Sequence, residues 1–253
     1  MLLSTKALTQ DGYIDVSLTS YGPRLSKVFA TIESIGLGTQ RPRAIILWVD
    51  RPEDATNPHW TLRMQQKRGL QIRYSEGEYG PHKKYYPYCC DVPSSSKAMV
   101  TADDDVLYPP CWLTVLARAH VSSPGVVHCF RAYEVQRDSE GNVAPYHHWL
   151  PTTSTLPSFD NFATGVSGVI YSLPHMEALR QAGENFLEVS HSADDVWLYF
   201  VLTRAGFRIR QVESRSRLFW ERTGTQSVAL STTNVDRGMN DVAIERTRRA
   251  FGK

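Results

Sequence analysis

The chain has 253 residues, of which 42% are hydrophobic, and its 28 basic and 26 acidic residues give a net charge of +2. This composition excludes a disordered chain and is sufficient for a buried core in one large α/β domain or two small ones. Because the charges nearly balance, no overall positive field favours nucleic acid as a partner.

The first half of the chain alternates apolar runs of strand length with segments of helical period. Strands are predicted over residues 14–20, 44–49, 70–74 and 97–102, and helices over residues 25–35 and 59–67. The polar, aromatic residues 75–88, which include Lys83 and Lys84, are interpreted as a loop with a short helix. Pro109 and Pro110 suit the first turn of a helix that contains Trp112. This alternation predicts parallel strands joined by crossover helices.

The second half has shorter predicted elements. Strands are predicted over residues 126–130, 132–136 and 169–171, with a hairpin turn at residues 139–142. No flexible Gly/Ser linker separates the two halves, so one continuous domain is expected. Within it, residues 14–120 are expected to form the nucleotide-binding half and residues 121–253 the acceptor-side half.

The cysteines and the chain termini indicate the cellular setting. Cys89, Cys90, Cys111 and Cys129 lack paired metal-ligand spacing and are expected to be buried thiols. No signal-like apolar core and no run of roughly twenty apolar residues is present, so a cytoplasmic location is expected. The last segment is locally basic and could touch an acidic membrane surface, although a solvated helix face is the favoured explanation. Its basic residues are Arg237, Arg246, Arg248, Arg249 and Lys253.

Three consecutive aspartates, Asp103 to Asp105, follow the fourth predicted strand. Like charges this close repel one another, and a divalent cation with its phosphate ligands would neutralise them. A solvated acidic turn is the alternative. Ligands of open α/β sheets gather outside the carboxyl ends of the strands, where Thr19 and Asp50 are also expected. That convergence favours a metal site.

A second acidic pair, Asp194 and Asp195, opens an apolar helix, with Ser192 as a candidate N-cap. Acidic residues favoured by the helix dipole are the structural explanation. A carboxylate held rigidly by a buried helix could instead accept a proton from a sugar hydroxyl. In the loop before it, His147, His148 and Trp149 could contact a sugar acceptor.

Taken together, these segments resemble GT-A glycosyltransferases, and the chain is similar to a bacterial, family-two-like member. The segments that occur in the order of that family are residues 16–24, 45–50, 83–84, 101–105, 164–168 and 193–197. The resemblance implies a Rossmann-like mixed sheet flanked by helices. It also implies a hexosyltransferase that takes a UDP-linked nucleotide sugar and acts in polysaccharide biosynthesis on a glycan or lipid-linked acceptor.

The resemblance also assigns roles to residues. Asp103 and Asp105 match the outer carboxylates of a DxD motif that holds Mn²⁺ or Mg²⁺ against the donor diphosphate, while Asp104 could bind the ribose or the metal. The catalytic base would be Asp195, with Asp194 orienting the acceptor in an inverting displacement. Residues expected to contact the donor are Thr19, Tyr21, Arg24, Asp50, Lys83, Lys84 and Gly165.

One departure from the family pattern concerns the metal. Many GT-A enzymes supply a late histidine as a ligand, yet no histidine follows His191. Asn240-Asp241 or Trp220-Glu221 could close the site instead, or water and diphosphate could complete the shell. Two alternatives stay open: a nucleotidyltransferase acting on sugar phosphates, and an inactive carbohydrate-binding relative. The first would need a glycine-rich, basic phosphate loop after the first strand, and residues 19–24 contain one Gly and one Arg.

Overall fold

The computed structural model describes residues 4–221 and 239–252, and these form a central sheet with helices on both faces. The strands are β1 (Ile14–Thr19), β2 (Ala44–Val49), β3 (Leu70–Tyr74), β4 (Ala98–Ala102), β5 (Val106–Leu107), β6 (Val127–Cys129), β7 (Ala132–Glu134), β8 (Leu150–Pro151), β9 (Asn161–Ala163), β10 (Val169–Ser172), β11 (Ile209–Gln211) and β12 (Trp220–Glu221). The helices are α1 (Phe29–Gly36), α2 (Pro52–Thr56), α3 (Trp60–Gln66), α4 (Tyr86–Cys90), α5 (Trp112–Ser122), α6 (Leu173–Gln181), α7 (Phe186–Val189), α8 (Asp194–Arg204) and α9 (Met239–Ala250).

The central sheet has seven strands in the order β11-β6-β10-β4-β1-β2-β3. β1 pairs in parallel with both β2 and β4, and β2 pairs in parallel with β3. β10 is antiparallel to its two neighbours, β4 and β6, which makes it the reversed strand of a mainly parallel sheet. The predicted mixed α/β sheet in a single continuous domain is therefore confirmed.

Burial on both faces explains why the central strands are so apolar. Every residue of β2 and of β4 is buried. On one face, Leu18 and Leu47 pack in a hydrophobic cluster with Leu113 of α5. On the other face, Met99 packs in a second cluster with Trp197 of α8. The second cluster holds α8 firmly on the sheet, as its apolar sequence predicted, and this positions the acidic start of that helix.

Several local predictions need correction. α1 begins at Phe29, because Leu25 lies in the separate 3-10 turn Gly22–Ser26 that Pro23 helps to start. α5 begins at Trp112, so Pro109 and Pro110 precede the helix instead of forming its first turn. The residue that caps α8 is Ala193 and not Ser192, and no side chain caps this helix. The ends of these helices are set by tertiary contacts more than by local capping signals.

The cysteine prediction is half wrong. Cys89 and Cys129 are buried, whereas Cys90 and Cys111 are exposed, and all of these thiols are free. Burial raises the pKa of Cys129 to about 12, so this thiol stays protonated at neutral pH. The buried thiols therefore act as packing groups.

The second half forms a small sheet of its own beside the central one. β7 pairs antiparallel with both β8 and β9. The predicted turn is confirmed by an antiparallel bridge between Arg137 and Val143 and by the Asp138 amide, which donates to the Asn142 carbonyl over 2.9 Å. The division into a nucleotide-binding and an acceptor-side half stays a prediction.

The basic C-terminal segment lies on α9. Arg248 and Arg249 both form ion pairs with Glu245, at 3.0 and 2.6 Å. Arg237 and Lys253 lie outside the described residues. These contacts give no support to the predicted membrane surface contact. Among residues 4–221 and 239–252, no helix is both long and apolar enough to cross a membrane.

Candidate functional site

A cleft of about 510 Å³ lies at the carboxyl ends of β1, β2 and β4. Both acidic segments that the sequence singled out face it. The predicted site residues that line the cleft are Thr19, Tyr21, Arg24, Asp50, Lys84, Asp103, Asp104, Asp105, Gly165, Asp194 and Asp195. One predicted residue, Lys83, is not among the lining residues. The structure thus brings almost the whole predicted set into one place.

The Asp104 carboxylate is held by one guanidinium and one hydroxyl group of the chain. Its carboxylate accepts hydrogen bonds from the Ser20 hydroxyl and from the Arg24 guanidinium, whose Nε lies 2.9 Å from Oδ2. The same guanidinium reaches Asp105 Oδ2 over 2.9 Å. The Asp104 side chain is only 8% exposed, and both of its carboxylate oxygens accept hydrogen bonds from these groups. Among the three aspartates, Asp104 is therefore the one with least freedom to bind anything else.

Asp103 faces a different cation. Its Oδ1 lies 2.9 Å from Lys84 Nζ, and the same ammonium lies 2.9 Å from Asp194 Oδ2. Burial lowers the pKa of Lys84, but the carboxylates of Asp103 and Asp194 raise it by more, so its net pKa is well above the usual value. A charged Lys84 therefore joins the two acidic segments across the cleft.

The backbone of Lys84 is fixed as firmly as its side chain. Lys84 lies at the end of the 3-10 turn Gly80–Lys84, and its carbonyl accepts a 2.6 Å hydrogen bond from the Ser17 hydroxyl on β1. This bond ties the turn to the centre of the sheet. The ammonium is thereby held in place by the fold itself.

Lys83 turns away from the cleft and supports Asp50. Its buried ammonium lies 2.6 Å from Asp50 Oδ1. The Asp50 side chain is 47% exposed and lines the cleft. Lys83 therefore positions a cleft carboxylate and does not itself face a ligand.

Thr19 and Tyr21 lie at the end of β1 and line the cleft next to Asp50. The Thr19 hydroxyl donates to the Trp48 carbonyl over 3.1 Å, which fixes its side chain against β2. Tyr21 is 38% exposed. Together they form the rim of the cleft above the first two strands.

Asp195 lies at the opposite wall, in the first turn of α8. Its Oδ1 accepts a 3.0 Å hydrogen bond from the Gly165 amide. Burial raises the pKa of Asp195, the Asp194 and Asp103 carboxylates raise it further, and the value reaches about 8 despite the opposing Lys84 ammonium. Such a carboxyl group changes protonation state near neutral pH.

Asp194, its neighbour, behaves in the opposite way. Burial raises the pKa of Asp194, but the charges and hydrogen bonds around it, foremost those of Lys84, together lower it by more. Its pKa therefore lies below the usual value. Two adjacent carboxyl groups with pKa values pushed apart are a common arrangement in acid–base sites.

Gly165 is needed for this arrangement. A Cβ at this position would lie 3.0 Å from Lys84 Nζ and 3.1 Å from Asp195 Oδ1. Any side chain would therefore crowd both groups, and glycine allows the backbone to approach them. Gly165, which was predicted to contact the donor, therefore brings the backbone against Asp195 and Lys84.

The predicted sugar contact of Trp149 is wrong. Its side chain is buried at 4% exposure in a hydrophobic cluster, and its indole N–H donates to the Ala144 carbonyl over 2.9 Å. His147 and His148 are exposed and do not line the cleft. The residue of this loop that does line the cleft is Tyr146.

Sequence analysis missed Arg131, Tyr146, Phe162 and His191, which all line the cleft. Arg131 lies two residues after the end of β6, so the rule that ligands gather at strand ends was a signal that could have found it. Tyr146 and Phe162 carried no such signal. Asn240 and Glu221, suggested as residues that close the site, also line the cleft.

The structure agrees in part with the prediction of a metal site. Among residues 4–221 and 239–252, no group of three or more His, Cys, Asp and Glu side chains could hold a metal ion. Asp103 and Asp105 are 28% and 17% exposed at the cleft and offer hard oxygen ligands. Mg²⁺ usually binds through one or two carboxylates together with substrate phosphates. These residues therefore fit a divalent ion that binds together with a diphosphate.

Comparisons with known proteins agree with the fold. No protein-family model matches the chain, and no curated protein matches it. Among solved structures, 4-diphosphocytidyl-2C-methyl-D-erythritol synthase from Anaerococcus prevotii DSM 20548 is similar, with a TM-score of 0.53 and 12% identity over 89% of this chain and 99% of that chain. At this identity the similarity shows the fold alone, which is a GT-A-like, Rossmann-like mixed sheet as predicted. Membership of the family-two-like glycosyltransferases stays a prediction.

Proposed function

We propose that this chain is a glycosyltransferase that moves a sugar from a nucleotide-sugar donor to a hydroxyl group of a glycan or glycolipid. One observation supports this most: the Lys84 ammonium joins Asp103 on the donor wall to Asp194 on the acceptor wall, at 2.9 Å from each. Asp195, the neighbour of Asp194, has a pKa raised to about 8. A cleft with a diphosphate-binding wall and a proton-accepting wall suits sugar transfer.

In this proposal the donor lies on the wall formed by β1, β2 and β4. Asp50, held by Lys83, and the rim residues Thr19 and Tyr21 would contact the base and ribose. Arg24 would face the diphosphate. UDP is the nucleotide that the family resemblance implies.

The metal would be Mn²⁺ or Mg²⁺. Asp103 and Asp105 would hold it, because Asp104 is engaged by Ser20 and Arg24. When bound, the ion supplies positive charge against the departing diphosphate. Asp104 would serve to fix Arg24, and through it the position of Asp105.

Asp195 would act as the general base. Its carboxylate takes the proton from the acceptor hydroxyl while that oxygen bonds to the anomeric carbon of the sugar. The bond from the anomeric carbon to the diphosphate breaks in the same step, and the nucleotide diphosphate leaves with its electron pair. Attack opposite the leaving group inverts the anomeric centre. Asp194, fixed by Lys84, would orient the acceptor.

A nucleotidyltransferase is the second candidate, because the solved structure with the similar fold is named for a diphosphocytidyl product. Such an enzyme must bind a nucleoside triphosphate and a second phosphate, so we would expect several cations free to meet them. In the described cleft Arg24 and Lys84 are both ion-paired with aspartates, which leaves one arginine, Arg131, and not several cations. The acidic lining favours the glycosyltransferase.

Thermal shift with a panel of nucleotides separates the two candidates. UDP and UDP-sugars with Mn²⁺ should raise the Tm by about 5–10 °C at a hundred times Kd, since saturation contributes about 2.7 kcal/mol in a chain of this size. Asp103→Asn should abolish the Mn²⁺-dependent part. Asp91→Asn is the matched control, because its side chain is 89% exposed and does not line the cleft.

Two outcomes would contradict the proposal. Stabilisation by CTP with release of pyrophosphate on addition of a sugar phosphate would support the nucleotidyltransferase. No stabilisation by any nucleoside diphosphate or triphosphate, with or without Mn²⁺, would remove both candidates.

A further inference from the structure

Three arginine and lysine side chains line the described part of the cleft: Arg24, Lys84 and Arg131. Arg24 pairs with Asp104 and Asp105, and Lys84 pairs with Asp103 and Asp194. No carboxylate among residues 4–221 and 239–252 forms an ion pair with Arg131. Its charge is therefore the one that the described cleft leaves without a counter-ion.

The guanidinium of Arg131 is held in place by a neutral partner. It donates to the Tyr133 hydroxyl, and its carbon lies 4.9 Å from the centre of the Tyr133 ring. A ring face stabilises the cation without neutralising it. Because guanidinium has five N–H donors, this contact leaves other donors available to a ligand. The side chain is thus orientated and partly buried, yet still able to bind an anion.

Arg131 lies on the acceptor side of the cleft. Its carbonyl accepts a 3.0 Å hydrogen bond from the Thr164 amide, and the next amide, that of Gly165, donates to Asp195. Burial raises the pKa of Tyr146, the Asp195 carboxylate raises it further, and the Arg131 guanidinium opposes the rise. Tyr146 therefore lies near both groups. These contacts place Arg131 beside the proposed base and not beside the wall of Asp103 to Asp105.

We propose that Arg131 forms a subsite for an anionic group on the acceptor, either a carboxylate or a phosphate. This inference rests on the proposed glycosyltransferase function, since it uses Asp195 to define the acceptor side. Guanidinium matches both anions with two parallel hydrogen bonds. A partly desolvated cation without a counter-ion is costly, and an anionic acceptor would offset that cost where a neutral sugar would not. The enzyme would therefore select uronic acids or phosphorylated sugars over neutral ones.

Binding of small acceptor probes tests the subsite. Glucuronate, glucose 6-phosphate and methyl glucoside would be titrated by NMR into the protein saturated with UDP and Mn²⁺, so that the donor site is filled. We expect the two anions to bind at least tenfold more tightly than methyl glucoside. Arg131→Gln should remove this preference, Arg131→Lys should retain part of it, and the Kd for UDP should stay within twofold.

The control variant is Arg137→Gln. Arg137 is an exposed arginine of the same half that pairs with Asp160 over 3.3 Å and does not line the cleft. Which anion binds more tightly distinguishes a carboxylate from a phosphate subsite. Unchanged anion binding in Arg131→Gln would overturn the proposal, and so would an equal loss of UDP binding, which would place Arg131 in the donor site.

Failure of the glycosyltransferase proposal gives a different result. The wild-type protein would then bind no UDP, and the same titration without nucleotide would still report whether Arg131→Gln weakens anion binding. Weakening in that case would leave Arg131 as an anion site outside the proposed reaction. No weakening would overturn the subsite as well.

Discussion

The two acidic clusters that face each other across the cleft differ in how their charge is compensated. Asp104 and Asp105 share the Arg24 guanidinium, and Asp103 has the Lys84 ammonium. In the second cluster, Asp194 takes the same ammonium, and the Asp195 carboxylate accepts only a backbone N–H over 3.0 Å. Each aspartate of the first cluster therefore pairs with a cation, whereas no ion pair among the described residues includes Asp195.

This difference suits the first cluster to ligand binding and the second cluster to proton transfer. A cluster whose members are all ion-paired keeps its geometry, which suits a site that holds phosphates and a metal. Burial, together with the neighbouring Asp194 and Asp103 carboxylates, raises the pKa of Asp195 to about 8. The same residue type is therefore proposed as a ligand on one wall and as a base on the other.

Asp195→Asn should have the largest effect, because it removes the proposed base from the second cluster. The amide oxygen can still accept the hydrogen bond from Gly165, but the side chain can no longer take a proton. We expect kcat for sugar transfer to fall by about 10²- to 10⁴-fold, the usual contribution of a general base, with the Kd for UDP and Mn²⁺ unchanged. Steady-state kinetics and nucleotide titration measure the two quantities. Asp160→Asn, an exposed carboxylate with 49% of its side chain accessible, is the control; full activity of Asp195→Asn would exclude Asp195 as the base.

Lys84→Met removes the cation that both clusters share. Asp103 and Asp194 would then keep their charges without a partner, which costs about 3 kcal/mol, the lower end of the range for broken buried pairs because Asp103 is partly exposed. In a chain of this size that corresponds to a Tm lower by about 6–12 °C. Urea unfolding gives the free energy directly. Lys97→Met, at an exposed position with no cleft contact, should change it by less than about 0.5 kcal/mol; equal effects of the two variants would mean that Lys84 is not a structural bridge.

Gly165→Ala tests the geometry of the acceptor wall with little change in charge. The new methyl group would meet Lys84 Nζ at 3.0 Å and Asp195 Oδ1 at 3.1 Å, so these atoms would have to shift slightly. Because misplacement of a catalytic group by about 1 Å reduces turnover by about 10²-fold, this smaller shift should reduce kcat by about tenfold or less. Gly125→Ala is the matched control, since a Cβ there meets nothing within 4 Å. If both variants retain wild-type kcat, the close approach at Gly165 has no role in the reaction.

The sequence predicted the sheet well because burial on both faces leaves a simple pattern. The apolar run of β2 spans Ala44–Val49 and the third strand spans Leu70–Tyr74, both as predicted. The strand ends then placed Asp50 and the three aspartates at one edge. Features that depend on a continuous apolar pattern can therefore be predicted from the sequence alone.

Contacts between distant segments were not predictable in the same way. Arg24 and Asp104 are 80 residues apart, and only the fold shows that this pair leaves Asp103 and Asp105 as the candidates for the metal. Trp149 was predicted to contact a sugar, yet Tyr146 and Phe162 pack on it at ring distances of 5.0 and 5.1 Å. No local pattern encodes such packing. The same holds for the crowding of Gly165 against Lys84.

The last expected effect concerns how stability depends on pH, and it tests the raised pKa of Asp195. The pKa of Asp195 is raised from 3.8 to about 8 in the folded chain, so between about pH 4 and pH 8 the folded state binds a proton that the unfolded state has lost. Stability should therefore fall as pH rises through this window. Asp195→Asn has no titrating group at this position, so its Tm relative to wild type should increase from pH 5 to pH 8. The limit is about 4 kcal/mol over these three pH units, which corresponds to about 8–16 °C. Thermal unfolding of both proteins across that range measures the difference. A constant difference in Tm would show that the pKa of Asp195 is not raised in the folded chain.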